Sequence, residues 1–388
     1  MCLICTKTLF HLEWGSFRTS LYMNEAFYFH LLNSLPGCGS KTLREAVAHF
    51  GSAKVAWEAS ETEWEDIKFA SRFNPTGIDT KRHTIDCEEE KQKLAAADIT
   101  LLPFTDPDYP ILLQEIPSPP ALLYLRGHWK QWNEKPCIAI VGSRDYSPYG
   151  KQVAEELSRE LSRAGITIIS GLAFGIDSLA HEGALLAEMP TVAILGGGID
   201  DASLAPQSHL RLAHSILQHG TLISEYAPGT PPTTGTFPAR NRIIAGMTLG
   251  TVVIEAKEES GSLITARLAL DFNREVFAVP GSIFSPLATG SNNLLKQGAK
   301  LVTGVQDILN ELQLEAFPSQ AETASTPLTH LNEEEQKIIN CLSRDPLHID
   351  KVLEVSRLET TRGSALLTKL EMRGLIKNIG NMQYIRIK

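Results

Sequence analysis

Residues 235–246 read GTFPARNRIIAG and residues 252–268 read VVIEAKEESGSLITARL. Phe237 offers a flat apolar face, Arg240 and Arg242 two planar cations, and Asn241 an amide between them. Such side chains hold unpaired nucleic acid through base faces and phosphates. Ser260, Gly261 and Ser262 stand where an apolar, β-branched run passes into a helical pattern, so free backbone N–H groups and the helix dipole favour an anion there. The expected ligand is rich in phosphate.

Other residues extend or limit this chemistry. Gly142-Ser143-Arg144 follows the run Ile138–Val141, where an arginine either grips a phosphate bidentately or pairs with a carboxylate at the sheet rim. Ser170 and Gly171 follow a second run, and Phe174 next to them either stacks on a base or packs inward. Phe237 has the same alternative, since loop aromatics also anchor their own loops. Asp177 and His181 are four apart, the spacing of an ordinary helical pair with Asp177 placed as an N-cap, and no third ligand or nucleophile accompanies them. The run Gly196-Gly197-Gly198 has neither the G-x-G-x-x-G spacing nor the lysine of a P-loop. Catalytic residues, a metal and a cofactor are therefore not expected.

These residues need elements that bring them together. The runs Ile138–Val141, Thr167–Ser170, Val192–Leu195, Leu222–Ser224, Val252–Glu255 and Val276–Val279 alternate with amphipathic segments and read as buried parallel strands with helices on both faces. The fold class is α/β, a doubly wound Rossmann-like parallel sheet, over residues 101–310. In such a sheet the glycine turns share the rim beyond the carboxyl ends of the strands. Ahead of it, residues 24–100 read as a helix-hairpin-helix or SAM-like domain, with Leu35–Ser40 as the Gly-rich turn, and the proline-rich stretches Asp106–Pro110 and Pro117–Pro120 as an extended connector. Residues 311–331, rich in Glu, Ser, Thr and Pro, read as a linker. Residues 332–388 give three helical segments and a hairpin turning at Gly380-Asn381, a winged-helix-like pattern whose third helix carries Arg362 and Lys369, with Arg373 at its end, as accessory DNA contacts.

The chain has 388 residues, 43% of them hydrophobic and 21% charged, an ordinary globular composition. Its net charge of -9 argues against a protein that coats nucleic acid uniformly, and residues 136–309 hold 12 Lys and Arg against 16 Asp and Glu. A binding site there requires local segregation of charge, with Arg144, Arg240 and Arg242 converging. The six cysteines complete no zinc pattern and read as free thiols of a reducing cytoplasm. No apolar run reaches the ~20 residues of a membrane span, and the start has no secretory pattern. A soluble, cytoplasmic protein is expected, with residues 1–23, ahead of or at Met23, as an N-terminal extension.

Arg240–Gly246 (RNRIIAG), Glu255-Ala256, Ser260–Ala266 (SGSLITA) and Ala278–Gly281 (AVPG), with Gly142–Arg144, Ser170–Ala173, Gly175–Asp177 and Ile223–Tyr226 upstream in the same order, resemble the DNA-processing protein A (DprA/Smf) family over roughly residues 100–305. The resemblance implies a single-stranded DNA-binding protein that protects incoming DNA and helps to load the RecA recombinase in natural transformation, a homodimer formed through the Rossmann-like domain, and a C-terminal winged helix. Phe174 stands where relatives often carry a basic residue, and Ala205-Pro206 and His209 stand where they commonly have a Tyr-Pro step and an asparagine. Two rivals remain: a Rossmann-like nucleotide phosphoribohydrolase, for which a Gly-Gly-x-Gly-Thr loop and catalytic Glu are lacking after Gly196, and a winged-helix regulator of duplex DNA.

Overall fold

Alternation along a single strand sets the two faces of the main sheet. Within β3 (Cys137–Val141), Cys137, Ala139 and Val141 bury against one layer of helices, while Ile138 and Ile140 bury against the other. The computed structural model describes residues 25–70, 73–314, 331–343 and 345–386, in two compact units on either side of the 315–330 gap. The expected extension 1–23 and most of the expected linker lie outside the described residues.

Among the described residues nine strands form the sheet. Besides β3 they are β1 (Thr100–Pro103), β2 (Leu122–Gly127), β4 (Thr167–Ser170), β5 (Thr191–Ile194), β6 (Thr221–Ser224), β7 (Gly250–Val253), β8 (Glu275–Ala278) and β9 (Lys300–Leu301), in the order β1-β2-β6-β5-β4-β3-β7-β8-β9. From β6 to β9 all pairs are parallel, for example Ile138 with Ile168 and Val141 with Val253. The chain lays β4, β5 and β6 to one side of β3, then returns to place β7, β8 and β9 on the other. That reversal between β3 and β7 is the topological switch point of a doubly wound sheet.

The doubly wound parallel sheet expected from the sequence is present, and two antiparallel strands extend it at one edge. β1 and β2 pair antiparallel with each other, and β2 pairs antiparallel with β6. Only the short helix Ile111–Gln114 separates β1 from β2, too little for the crossover a parallel return requires. The prolines of the connector masked the apolar run Leu122–Leu125, which is fully buried.

Two further features fix the site. Ser147 caps the helix Pro148–Arg163 by accepting from Gly150 N, and Glu255, just past β7, accepts from Ser147 N (2.9 Å) and Ser147 Oγ (2.6 Å). This clamp joins the loop after β3 to the loop after β7. The N-terminal helices, 25–33 and Ser40–Phe50 among them, do not stand apart: Phe29, Leu32, Leu43 and Trp64 share one core with Leu122, Tyr124, Ala193 and Leu222 of the sheet. His30 Nδ1 lies 2.9 Å from the buried Tyr124 hydroxyl in the same junction.

In the second unit, helices Glu333–Cys341, Ile349–Ser356 and Thr360–Met372 enclose Ile338, Val352, Leu367 and Leu370. Strands β11 (Ile376–Asn378) and β12 (Gln383–Arg386) make the wing, with Gly380 and Asn381 at positive φ in the turn, and β10 (Leu347–His348) pairs with β12. Among the described residues no helix is long and apolar enough to cross a membrane.

Because each unit closes its own hydrophobic cluster, a chain ending at Leu314 is expected to keep its fold. Circular dichroism should show a cooperative melt within a few degrees of the main transition of the full chain. A non-cooperative melt would mean that the C-terminal unit is part of the same folding unit.

Candidate nucleic-acid interface

A cavity of about 560 Å³ opens beyond the carboxyl ends of β3 and β7, at the switch point. Gly142, Ser143 and Arg144 form one side of it, Phe237, Arg240 and Asn241 from the helix Thr236–Gly246 a second, and Ser260, Gly261 and Ser262 at the start of the helix Gly261–Asp271 a third. Nine residues singled out in the sequence thus meet around one space. Four others do not line it: Ser170, Gly171, Phe174 and Arg242.

Arg240 forms the floor. It is only 3% exposed, and its Nη1 donates to Gly171 O at 2.7 Å and also to Ile194 O. Burial pulls its pKa down to about 10, opposed by the nearby Asp177 carboxylate. Asp177 in turn accepts from Gly171 N at 3.0 Å. Burial pushes the Asp177 pKa up, while Arg240 and the Gly171 N–H oppose the shift. Only a glycine fits at 171, since a Cβ there would stand 2.5 Å from Arg240 Nη1 and 2.6 Å from Asp177 Oδ2. The expectation of a freely exposed Arg240 gripping phosphate therefore changes: its guanidinium holds the rim together from beneath.

Phe237 and Arg144 form the wall. Phe237 is half-buried, and Arg144, exposed, holds its guanidinium carbon 5.9 Å from the ring centroid. A planar cation over an aromatic face is itself a favourable contact. Phe237 also leans on Gly196, where a Cβ would come within 2.9 Å of its Cδ1. Gly197 has a similar relation to Pro232, at 3.1 Å. The 232–237 segment thus packs against the glycine run after β5.

Opposite, Ser260 Oγ accepts weakly from Ser262 N at 3.4 Å and lies 2.8 Å from Ser262 Oγ. Gly261 is exposed, so backbone and hydroxyl donors at the head of this helix face the opening. Asn241 reaches the same turn, its Nδ2 3.5 Å from Gly261 O. Lys257, which the sequence reading passed over, also lines the cavity and pairs across the switch point with Asp145 at 2.7 Å. The signal for it was a lone cation four residues past the end of β7. Asp145 and Glu259 line the cavity as well, so its walls are not uniformly cationic.

Arg242 lies elsewhere, which corrects the expected convergence of three arginines. Two residues along a helix is a turn of about 200°, so Arg240 and Arg242 point to opposite sides. Arg242 Nη2 donates to both oxygens of Glu225 at 2.5 Å, and Glu225 Oε1 also accepts from Ser40 Oγ of the N-terminal helices. Ser170 is fully buried and donates to Ile140 O at 2.6 Å, tying β4 to β3. Phe174 stands outside the cavity, half-exposed, beside Ala173, which does line it.

The Asp177–His181 pair has a structural environment. His181 Nδ1 lies 2.8 Å from Thr191 Oγ1, which donates to Ile168 O, so the imidazole is the donor of that bond. Burial, then the charge of Arg240, lowers its pKa to about 3. In the winged-helix unit, Arg362 pairs with Glu334 at 2.9 Å, and Lys369 and Arg373 both pair with the buried Glu335, at 2.9 and 3.1 Å. All three accessory cations face carboxylates of the first helix.

Replacing Arg240 by Leu leaves Asp177, Gly171 O and Ile194 O without their partner. It is expected to cost about 3–5 kcal/mol in denaturant unfolding. Arg242→Ala exposes Glu225 to partial loss of pairing at about 1–3 kcal/mol, without altering oligonucleotide affinity in the folded variant. Equal stability of Arg240→Leu and the parent chain would remove the floor role; lost affinity in folded Arg242→Ala would return that arginine to the site.

Comparison with known proteins places the chain in a family. The family model for DNA recombination-mediator protein A matches residues 100–313, and the DprA winged helix domain model matches residues 322–380. The chain is 43% identical to the DNA processing protein DprA of Bacillus subtilis across 55% of its own length and 71% of that protein's. It is 32% identical to Protein Smf of Synechocystis across 94% of its length and 99% of the relative's. Among solved structures, DNA processing protein A from Streptococcus pneumoniae is similar at 35% identity with a TM-score of 0.65, covering 74% of this chain and 97% of that one. A Helicobacter pylori DNA processing protein A, described for its single-stranded DNA binding mode, is similar at 30% identity with a TM-score of 0.50, covering 55% and 95%. With a nine-stranded, doubly wound sheet, a winged helix, and family matches over more than half of its length, the chain belongs to the DprA/Smf family of DNA-processing proteins.

Proposed function

We propose that this protein binds single-stranded DNA in the cavity at the switch point, and that it does so by holding rather than by transforming its ligand. The observation that carries the reading is the exposed Arg144 guanidinium over the Phe237 ring, facing the donor-rich start of the helix Gly261–Asp271. A phosphate meets Arg144 and the N–H groups near Ser260–Ser262, while an unstacked base lies against Phe237. Gly142 and Ser143 shape the approach, and Asn241 steadies the helix start. Phosphate contact supplies affinity without sequence preference.

The Helicobacter pylori relative has a single-stranded DNA binding mode, and we carry that activity to this chain. The family reading adds protection of incoming DNA, help in loading the RecA recombinase during transformation, a homodimer and a cytoplasmic location. The rivals have less support. Packing of Pro232 and Phe237 against Gly197 and Gly196 weakens the case for a phosphoribohydrolase, and pairing of Arg362, Lys369 and Arg373 with Glu334 and Glu335 weakens that for a duplex reader.

Fluorescence anisotropy with single-stranded and duplex oligonucleotides over a range of salt tests the proposal. Arg144→Ala should weaken single-strand binding alike for all sequences and lower the salt slope by about one phosphate contact. Phe237→Ala should lose about 1–3 kcal/mol with little change in slope. Because the two side chains touch, the double variant should lose less than the sum of the single losses. Parent-like affinity and slope in both folded variants would dismiss the cavity as the site, and nucleotide hydrolysis in a parallel assay would favour the enzyme.

A further inference from the structure

One exposed aromatic on the rim has no part in the fold's core and is nevertheless held firmly. Phe174, 50% exposed, meets the His209 ring edge-on, with centroids 4.9 Å apart and planes at 68°. His209 is fixed from behind, its Nδ1 3.0 Å from Leu172 O. Leu172 is completely buried and holds φ at 55°, a left-handed conformation that a leucine keeps only where its surroundings impose it. The loop after β4 is also bound to the loop after β3, since Ile176 N donates to Ser143 O at 3.2 Å. Phe174 is thus an outward-facing ring on a rigid loop, one residue from the cavity wall at Ala173.

We propose that Phe174, braced by His209, is a second base-stacking station, which receives a nucleotide of the strand that Arg144 and Phe237 hold in the cavity. The inference rests on the single-strand reading of that cavity. A half-exposed flat apolar face braced by an edge-on ring stacks on any base, and the sites of sequence-tolerant single-strand binders combine such faces with a charged track. The charged track here runs through Arg144 and Lys257, on the loops after β3 and β7. The next strand along the rim is β4, whose loop carries Phe174. A strand leaving the cavity on that side passes over an aromatic face instead of a cation. Its grip there adds affinity without releasing counterions, and so without steepening the salt dependence.

The test titrates oligothymidylates of increasing length against the full chain and against Phe174→Ala, Phe174→Leu, His209→Ala and Arg144→Ala. Phe174→Ala should bind long oligonucleotides about 5- to 150-fold more weakly, the range of one lost base stack, with an unchanged salt slope. Oligonucleotides too short to leave the cavity should bind it like the parent. Phe174→Leu, which keeps bulk but loses the flat face, should share the defect, and His209→Ala should show a smaller one. Photocrosslinking of a 5-iododeoxyuridine oligonucleotide should mark Phe174 as well as Phe237 in the parent chain. Parent-like binding by Phe174→Ala at every length, while Arg144→Ala is impaired, overturns the second station and leaves the cavity reading in place. If Arg144→Ala also binds like the parent, the cavity reading itself falls, and this inference with it.

Discussion

Burial of the Arg240 guanidinium beneath the rim is the constraint on which the site's geometry depends, because it pins the helix Thr236–Gly246 to the ends of two neighbouring strands. Its bonds to Gly171 O and Ile194 O satisfy carbonyls that the parallel ladder leaves open where β4 and β5 end. The Asp177 carboxylate supplies the opposing charge and at the same time receives the Gly171 N–H. A buried charge is tolerable only with such partners, so the three groups stand or fall together. Phe237, three residues before Arg240 on the same helix, is thereby set against Gly196 and within reach of the Arg144 guanidinium.

On the proposed reading, an acidic protein that is to hold a polyanion must keep its cations local. Net charge is -9, and Asp145 and Glu259 stand in the cavity wall itself. At physiological ionic strength the Debye length is about 8 Å, so distant carboxylates on the surface are largely screened from a phosphate in the cavity. A phosphate placed there would feel the first few ångströms: Arg144, Lys257 and the helix start. The Lys257–Asp145 pair is exposed on both sides, and such pairs are worth about 0–1 kcal/mol, so exchanging the aspartate for a phosphate costs little. The arrangement allows a weak overall field and a strong local contact to coexist.

Much of this was legible in the residues, and the parts that were not have identifiable causes. The runs around Ile138, Ile168, Val192, Leu222, Val252 and Val276 announced six of the strands because strands buried on both faces are continuously apolar and β-branched. β2 is equally apolar, yet Pro117–Pro120 just ahead of it read as a connector, and its antiparallel pairing follows from a chain path that no periodicity encodes. Arg240 and Arg242 look alike in the sequence. Their separation on the helix implies opposite faces, but which face meets the sheet is decided by Gly171 and by Glu225, residues distant in the chain. The Gly196–Gly198 run has no nucleotide-binding spacing, and glycine signals close approach without naming what approaches; here it is Phe237 and Pro232. Lys257 was passed over because a single lysine among three glutamates reads as solvated surface.

The winged-helix unit shows why counting charges along a helix falls short of locating a binding face. Its third helix presents Lys369, and Arg373 just beyond it, to Glu335, a carboxylate that is almost wholly buried and also closes the capping box of the first helix by accepting from Asn332 N at 3.0 Å. Releasing those cations to a phosphate would leave that carboxylate buried without its counter-charges, a cost that surface pairs such as Arg362–Glu334 do not carry. A slight excess of Lys and Arg in the unit is therefore spent largely on holding its own helices together. Arg144, by contrast, makes its close contact with an aromatic ring and leaves its charge open to a ligand, so the physical asymmetry between the two units favours the sheet's rim as the place where affinity originates.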